Sequence, residues 1–376
     1  GIDKFTAFLR AFCRLGISHI QFNVLNEADL RAAQKEPEKY RSLTVRVAGY
    51  TAYFTELAPD LQEEIIARTS YEAVFEVKRF AVHDGPGLRT TLFLKGCPLR
   101  CLWCSNPESQ HCRHEVLFKK DLCVHCGACV PVCPVGIHSM VNAQSTHMVD
   151  RSKDCIRCEA CVRACPQAAL AIAGERKSIS GLLEVVEQDW LFYENSGGGL
   201  TVGGGEPMLQ HEALANLLLA CKQKGIHTAM ETSGYAKPEV VRQLAEICDL
   251  FLFDVKHMDA DKHYALTGVR NEHILANLQW LLENGCAVNI RMPLLKGYND
   301  ENEEIHAVGR FLACHAERKN LKGIDLLPYH RLGVSKYAQL DRDYAIEGNP
   351  ALDDTDLERI QKILLSYGLA ARVIKH

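Results

Sequence analysis

Between residues 90 and 329, short apolar runs alternate with longer stretches whose apolar residues recur every three or four positions. TTLFLKG (90–96), LTVGG (200–204), HTAMET (227–232), LFLFDV (250–255), AVNIRM (287–292) and GIDLLPY (323–329) have the length and residue types of strands. HEALANLLLACKQKG, PEVVRQLAEICD and ILANLQWLLENG, which lie between them, carry the helical period. Strand and helix in alternation predict a parallel sheet of right-handed βα units. Six such units predict an α/β fold, a partial (β/α)6 TIM-like barrel.

The pattern is broken in two places. Residues 112–172 are short of large apolar side chains and rich in cysteine, so their order has to come from something other than a hydrophobic core, and bound metal is the natural substitute. Residues 1–72 form a small α+β unit of their own. It comprises an amphipathic helix-like start, a strand-like IQFNVL (20–25), a polar segment ADLRAAQKEPEKY, a strand-like RVAGYTAYF (46–54) and a closing helix PDLQEEIIART (59–69) with Pro59 suited to its first turn. The expected domains are therefore 1–72, a barrel made of 73–111 and 173–376, and an insertion at 112–172.

Composition narrows the function classes. The 376 residues carry a net charge of −4 with both signs interspersed, which leaves no basic footprint and excludes a nucleic-acid partner. No run of about 18 apolar residues exists to span a membrane. The first residues read as an amphipathic helix rather than a signal peptide, so the expected location is cytoplasmic. Most of the 17 cysteines fall between 97 and 165 at short intervals, which without a secretory signal argues for metal rather than disulfides, in a reducing, oxygen-poor setting.

DLCVHCGACVPVCPVGI holds Cys123, Cys126, Cys129 and Cys133, and KDCIRCEACVRACPQAAL repeats the spacing with Cys155, Cys158, Cys161 and Cys165. Two copies of C-x2-C-x2-C-x3-C-P predict two 4Fe–4S clusters, with structural zinc as the competing reading. In such pairs the fourth cysteine crosses over, giving Cys123, Cys126, Cys129 and Cys165 for one cluster and Cys155, Cys158, Cys161 and Cys133 for the other. A third group, Cys97, Cys101 and Cys104 in KGCPLRCLWCSNPE, has only three thiolates. It would leave one iron of a third 4Fe–4S cluster without a protein ligand, an open position where a substrate can bind. Cys13, Cys112, Cys221, Cys248, Cys286 and Cys314 fit none of the groups and read as ordinary thiols.

The C-x3-C-x2-C spacing directly after a first strand closely resembles the radical S-adenosylmethionine enzymes. In a barrel, functional groups gather at the C-terminal ends of strands. In the resembled family the GGGEP element, here Gly203, Gly204, Gly205 and Glu206, binds the methionine amino group. The resemblance implies that Asp254 and Lys256 in LFDVKHMD, and Glu231 with Thr232 in AMETSGY, surround the methionine carboxylate, sometimes with a monovalent cation. Arg291 in NIRMPLLKGYND and His330 in LLPYHRLGVSKY are expected to end the last two strands and to contact the nucleoside or carboxylate. For each of these a surface salt bridge or a structural histidine is the competing account.

VKRFAVHDGPGLRTTLFLKGCPLRCLWCSNPESQ, the double ferredoxin-like insertion and LPYHRLGVSKY are similar to the glycyl radical enzyme activating enzymes over residues 74–376, with Ser105 where many relatives have histidine. Residues 1–72 resemble the C-terminal end of a glycyl radical enzyme, whose RVAGY motif holds the radical glycine; here that is Gly49. A glycine inside an apolar run serves either as a turn or bulge, or as a Cα that reacts. The resemblance implies the second: a Cα radical delocalised between the flanking amides, which a β-carbon would crowd. It does not reach upstream to the thiyl-forming cysteine loop, so the lyase reaction itself is not expected of these residues.

The resemblance thus implies an enzyme that cleaves S-adenosylmethionine reductively, with flavodoxin or ferredoxin as electron source. The 5′-deoxyadenosyl radical abstracts a hydrogen from Gly49, with Lys256 and His330 close to the chemistry. The tether from Gly49 to the barrel spans on the order of 60–70 Å, which permits reaction in cis as well as in trans. The rivals are a radical enzyme acting on another substrate, and an electron-transfer or spare glycyl radical module.

Overall fold

The computed structural model describes residues 27–47, 50–59, 61–62, 65, 70–141, 146–316 and 318–374. The expected helix at the start, the strand at 20–25, Gly49 and most of 59–69 lie outside the described residues. The chain divides into two units, Gly1–Thr69 and Ser70–His376.

In the first unit the segment expected only to be polar begins with a helix, Glu27–Lys35. Its apolar stripe is narrow, Leu30 and Ala33 at i and i+3, but both are fully buried. The expected single run at 46–54 is instead two antiparallel strands, β1 (Thr44–Val47) and β2 (Tyr50–Tyr53). Val47 pairs with Tyr50, and residues 48 and 49 between them are not described. Leu30, Ala33, Val45, Phe54 and Ile65 form the core. Gln62 closes it by donating Nε2 to the carbonyls of Phe54 and Leu57 at 2.9 and 3.0 Å.

The second unit is an α/β structure built on β3 (Ser70–Ala81), β4 (Arg89–Leu94), β5 (Glu115–Phe118), β6 (His138–Val141), β7 (Thr146–Val149), β8 (Leu170–Ala173), β9 (Glu175–Ser178), β10 (Gly199–Gly204), β11 (His227–Thr232), β12 (Leu250–Asp254), β13 (Val288–Leu294), β14 (Leu321–Pro328) and β15 (Ala371–Val373). One nine-stranded sheet has the order β15-β14-β13-β12-β11-β10-β4-β3-β9. From β4 through β10 to β15 every neighbour is parallel, while β3 and β9 are added antiparallel at one edge. All six expected strands are present. The parallel ones read as near-continuous apolar runs because helices cover them: Leu250–Phe253 of β12 are all buried. Helices His211–Gln223, Pro238–Ala245 and Glu272–Glu283 pack their apolar faces into the same core.

The cysteine-rich segment has its own small core of Val116, Phe118, Ile137, Val149 and Leu170 with Cys129 and Cys161. Two antiparallel pairs, β5 with β8 and β6 with β7, frame it. Arg342 ties it to the larger sheet through Glu115 at 2.6 Å, and Lys120 and Arg151 do so through Asp341 at 2.6 and 2.8 Å. Among the described residues, no helix is long and apolar enough to cross a membrane.

The ends of β4 and β10 approach with no room for side chains. Gly205 N–H donates to the Leu94 carbonyl and Glu206 N–H to the Gly96 carbonyl, each at 2.8 Å. Gly204 has φ +106°, a conformation that favours glycine, and a Cβ on Gly205 would stand 2.2 Å from the Gly96 carbonyl oxygen. That obstacle is backbone and cannot rotate away. Gly205→Ala is therefore expected to destabilise the protein by about 1–3 kcal/mol, as overpacking does, read as a lowered midpoint in denaturant unfolding of the metal-loaded chain. An unchanged midpoint would show that the two loops can part without loss.

Candidate functional site

Cys97, Cys101 and Cys104 lie in the loop that follows β4, all partly buried. The loop is stitched by backbone: Arg100 N–H donates to Thr267 O at 2.6 Å and Leu102 N–H to Leu266 O at 3.0 Å, both at the end of helix Ala260–Thr267. The Arg100 guanidinium turns back onto the carbonyls of Cys97 and Leu99 at 2.6 and 2.7 Å. Burial pushes the Cys101 thiol up to about 12 and raises Cys97 and Cys104 as well. Thiols this buried keep their protons unless a cation replaces them, which suits them to metal. The following segment is clamped by cations: Lys336 meets Glu108 and Asn106 at 2.5 and 3.1 Å, and Lys95 donates to Glu108 O at 2.6 Å.

Lys256, just past β12, stands where it affects these thiols. Burial pulls its ammonium down, but Asp254 at 2.6 Å, with the Cys101 and Cys97 sulfurs wherever they are ionised, outweighs that, so it is held above its ordinary value and remains cationic. Asn299 fixes its backbone, donating Nδ2 to the carbonyls of Lys256 and Pro293 at 3.0 and 2.7 Å.

Glu206 sits at the end of β10 and is 1% exposed. Its oxygens accept from Thr232 Oγ1 at 2.7 Å, Met208 N at 3.2 Å, Ser233 N at 2.9 Å and Ser233 Oγ at 2.6 Å. An ionised carboxylate has about four acceptor sites, and four donors fill them. Glu206 and Thr232 thus join the β10 and β11 ends to each other.

Arg291, expected at the end of its strand, lies inside β13, which continues through Pro293 to the buried Leu294. Its Nη1 donates to Glu231 Oε1 at 2.6 Å, its Nη2 donates to the His83 carbonyl, and Asp84 lies 3.7 Å away. Burial opposes its charge, and Glu231 with Asp84 outweighs burial, holding it above its ordinary value. Its Nε is buried with no hydrogen-bond partner among the described residues. His330 follows β14, its Nδ1 accepting from Leu332 N at 3.4 Å, and burial lowers its pKa.

In the insertion, Cys123, Cys126, Cys129 and Cys165 line one small cavity together with His147, so the fourth cysteine of the second run stands with the first three of the other. Correspondingly, Cys161, pushed up to about 11 chiefly by burial, is influenced by Cys155, Cys133 and Cys158. Both groupings fit four-thiolate clusters.

Sequence reasoning missed several residues. Asp84 and His83 lie in the VKRFAVHDGPG run that carries the family resemblance, but sequence reasoning gave them no site role. Ser233, next to Thr232, could have been suspected as a turn hydroxyl. His138 and His147 fall on one face of the β6–β7 hairpin, and burial and the neighbouring His147 lower His138 to about 4. His257 and Glu304, each buried, meet at 3.1 Å directly behind Lys256.

Four family models match the chain: Glycine radical at residues 1–55, 4Fe-4S single cluster domain at 83–128, 4Fe-4S dicluster domain at 122–170 and Radical SAM superfamily at 157–308. A choline trimethylamine-lyase activating enzyme from Oleidesulfovibrio alaskensis is 56% identical over 303 residues, 81% of this chain and 98% of that protein. A trans-4-hydroxy-L-proline dehydratase activating enzyme from Clostridioides difficile is 42% identical across 77% of this chain and 95% of its own length. A benzylsuccinate synthase activating enzyme from Thauera aromatica is 43% identical across 80% and 90%.

The pair behind Lys256 generates a pH prediction. Burial pushes Glu304 up to about 7, so its carboxyl is mostly protonated below pH 7 and ionises above it, while burial lowers His257 and favours its neutral form. A carboxyl whose folded value is raised contributes stability that is fully present below its unfolded value and lost as pH rises towards about 7. Glu304→Gln keeps an acceptor for the Met258 N–H, which Glu304 binds at 2.7 Å. Thermal unfolding of the two proteins between about pH 5 and pH 8 is expected to show wild type losing ground to the variant as pH rises. Parallel curves would mean that Glu304 is ionised throughout.

Proposed function

The chain belongs to the glycyl radical enzyme activating enzymes of the radical SAM superfamily, and from that membership we propose which of its residues do the work. The family activity is to place a radical on a glycine of a partner glycyl radical enzyme by cleaving S-adenosylmethionine, with iron–sulfur clusters as the redox groups. In our reading three 4Fe–4S clusters are held, by Cys97, Cys101 and Cys104, by Cys123, Cys126, Cys129 and Cys165, and by Cys155, Cys158, Cys161 and Cys133. The parallel strands act as a partial (β/α)6 barrel at 73–111 and 173–376, the insertion at 112–172 as a ferredoxin-like domain, and residues 1–72 as a glycyl radical domain.

A 4Fe–4S cluster held by Cys97, Cys101 and Cys104 would supply the electron for reductive cleavage of S-adenosylmethionine beside these residues. The chain's residues bind and orient. Lys256, cationic and paired with Asp254, holds the methionine carboxylate, and a monovalent cation fits the same acidic surroundings. The backbone of Gly203, Gly204 and Gly205 offers carbonyls to the ammonium, while Glu206 and Thr232 brace that backbone. Arg291, Glu231 and His330 line the nucleoside side. Gly49 is the hydrogen donor, and a small flavodoxin or ferredoxin in the cytoplasm is the reductant. The partner is read as a choline-cleaving lyase because the relative of 56% identity activates one.

The observation that carries this reading is the three-thiol loop bonded to the glycine run, with Lys256 close enough to influence Cys101 and Cys97. Reconstituted, reduced chain given S-adenosylmethionine is expected to release 5′-deoxyadenosine and to develop a glycyl electron paramagnetic resonance doublet. Gly49→Ala should abolish the doublet and leave cofactor cleavage within about twofold, since it removes the hydrogen donor and not the cleaving site. A doublet that persists in Gly49→Ala would assign the radical elsewhere. Cofactor cleavage without any doublet would favour another substrate. Lys256→Met is expected to raise the S-adenosylmethionine KM by about tenfold or more, the loss of one charge-assisted contact.

A further inference from the structure

The cavity lined by Cys123, Cys126, Cys129 and Cys165 has a histidine in its wall. His147 is 4% exposed, with Nε2 3.4 Å from Cys129 Sγ and Nδ1 4.0 Å from Cys123 Sγ. Phe118 packs edge-on against its ring with centroids 4.5 Å apart. His138, 3% exposed on the same face of the hairpin, brings Nδ1 to 3.0 Å from His147 Nε2. Neither the cysteine spacing nor the matched families give these histidines a role.

Which ring carries the proton follows from what is left unpartnered. A neutral imidazole has one N–H. If His147 donated from Nε2 to His138, then His138 would carry its own hydrogen on Nε2, which is buried with no partner among the described residues. An unsatisfied buried N–H costs about 1–3 kcal/mol. In the reverse arrangement His138 donates from Nδ1 to His147 Nε2 and leaves only a bare lone pair at its own Nε2, the more commonly tolerated defect. His147 must then carry its hydrogen on Nδ1, the nitrogen that faces Cys123. His125 is no rival donor through its Nδ1, because that atom accepts the His147 backbone N–H at 3.1 Å.

We infer that His147, oriented by His138, donates its Nδ1–H to the Cys123 sulfur and raises the reduction potential of the cluster held by Cys123, Cys126, Cys129 and Cys165. A hydrogen bond to a thiolate ligand stabilises the reduced, more negative cluster more than the oxidised one. Both histidines are positioning residues. The hydrogen bond makes this cluster easier to reduce than it would be without the histidine. The inference rests on the proposed assignment of iron–sulfur clusters to these cysteines.

The test is a redox titration of the full reconstituted chain followed by electron paramagnetic resonance, with iron and zinc content measured alongside. In His147→Leu at full iron content, one insertion signal should become harder to reduce by about tenfold, a downward shift of 59 mV for one electron, while the others stay put. His147→Gln, which keeps an N–H donor, should remain near wild type. His138→Leu should shift the same signal downward. Unmoved potentials in His147→Leu at full iron content overturn the inference, as does loss of four irons, which would make the histidine a support of the cluster's fold rather than its tuner. Zinc in the wild-type insertion overturns the cluster assignment itself, and metal analysis reports that before any variant is made.

Discussion

The site depends on two peptide backbones touching. Beyond β4 and β10 the chain carries three cysteines on one loop and the glycine run on the next. The two are joined by the Gly205 and Glu206 N–H groups donating to Leu94 and Gly96. Neighbouring strands stand about 4.8 Å apart, and at that spacing a β-carbon on Gly205 would collide with the Gly96 carbonyl. The glycine run therefore sets how far Cys97 lies from the strand beside it. Glu206 extends the same seam by gathering Thr232 and Ser233 of the next strand end, so three successive loops are tied together.

Charge is arranged around that seam with little left uncompensated. Lys256 and Arg291 are both nearly buried, and isolated buried cations are costly. Each faces carboxylates, Asp254 for Lys256, and Glu231 with Asp84 for Arg291. On the proposed reading, these pairs hold the cations charged where an anionic ligand would meet them. The filled acceptor sites of Glu206 have a different consequence: an incoming ammonium would have to displace a hydrogen bond to reach its carboxylate, whereas the carbonyls of the glycine run can accept without that loss.

Much of this was legible in the sequence because the relevant signals are local. A parallel strand buried on both faces is an apolar run wherever it occurs, and all six runs were found. Cluster ligands announce themselves by spacing, since a few residues between thiols are dictated by the size of the metal group. What escaped notice was set by tertiary neighbours. β3 alternates only loosely, with Phe80 and Val82 exposed near its end, and β9 is a polar tetrapeptide made a strand by its partner. Helix Glu27–Lys35 hides its apolar stripe in two residues. Arg291 was expected at a strand end, yet the strand runs on through Pro293 to Leu294. The two buried histidines of the insertion have no spacing rule, since a hairpin register brought them together.

The unit that carries the proposed substrate glycine differs in kind from the sheet that would act on it. Its core among the described residues is Leu30, Ala33, Val45, Phe54 and Ile65, and its β1–β2 hairpin is held by four residue pairs. An isolated two-stranded hairpin is marginal in water. Parting such a hairpin sacrifices few contacts, whereas displacing a strand of the nine-stranded sheet would disturb a core running through the whole sheet. A reaction that requires a backbone Cα to reach a cofactor needs one partner that yields and one that does not. If the chain works as proposed, the burden falls on the small unit, because the β4, β10 and β11 ends are held to one another by the hydrogen bonds of Gly205, Glu206, Thr232 and Ser233.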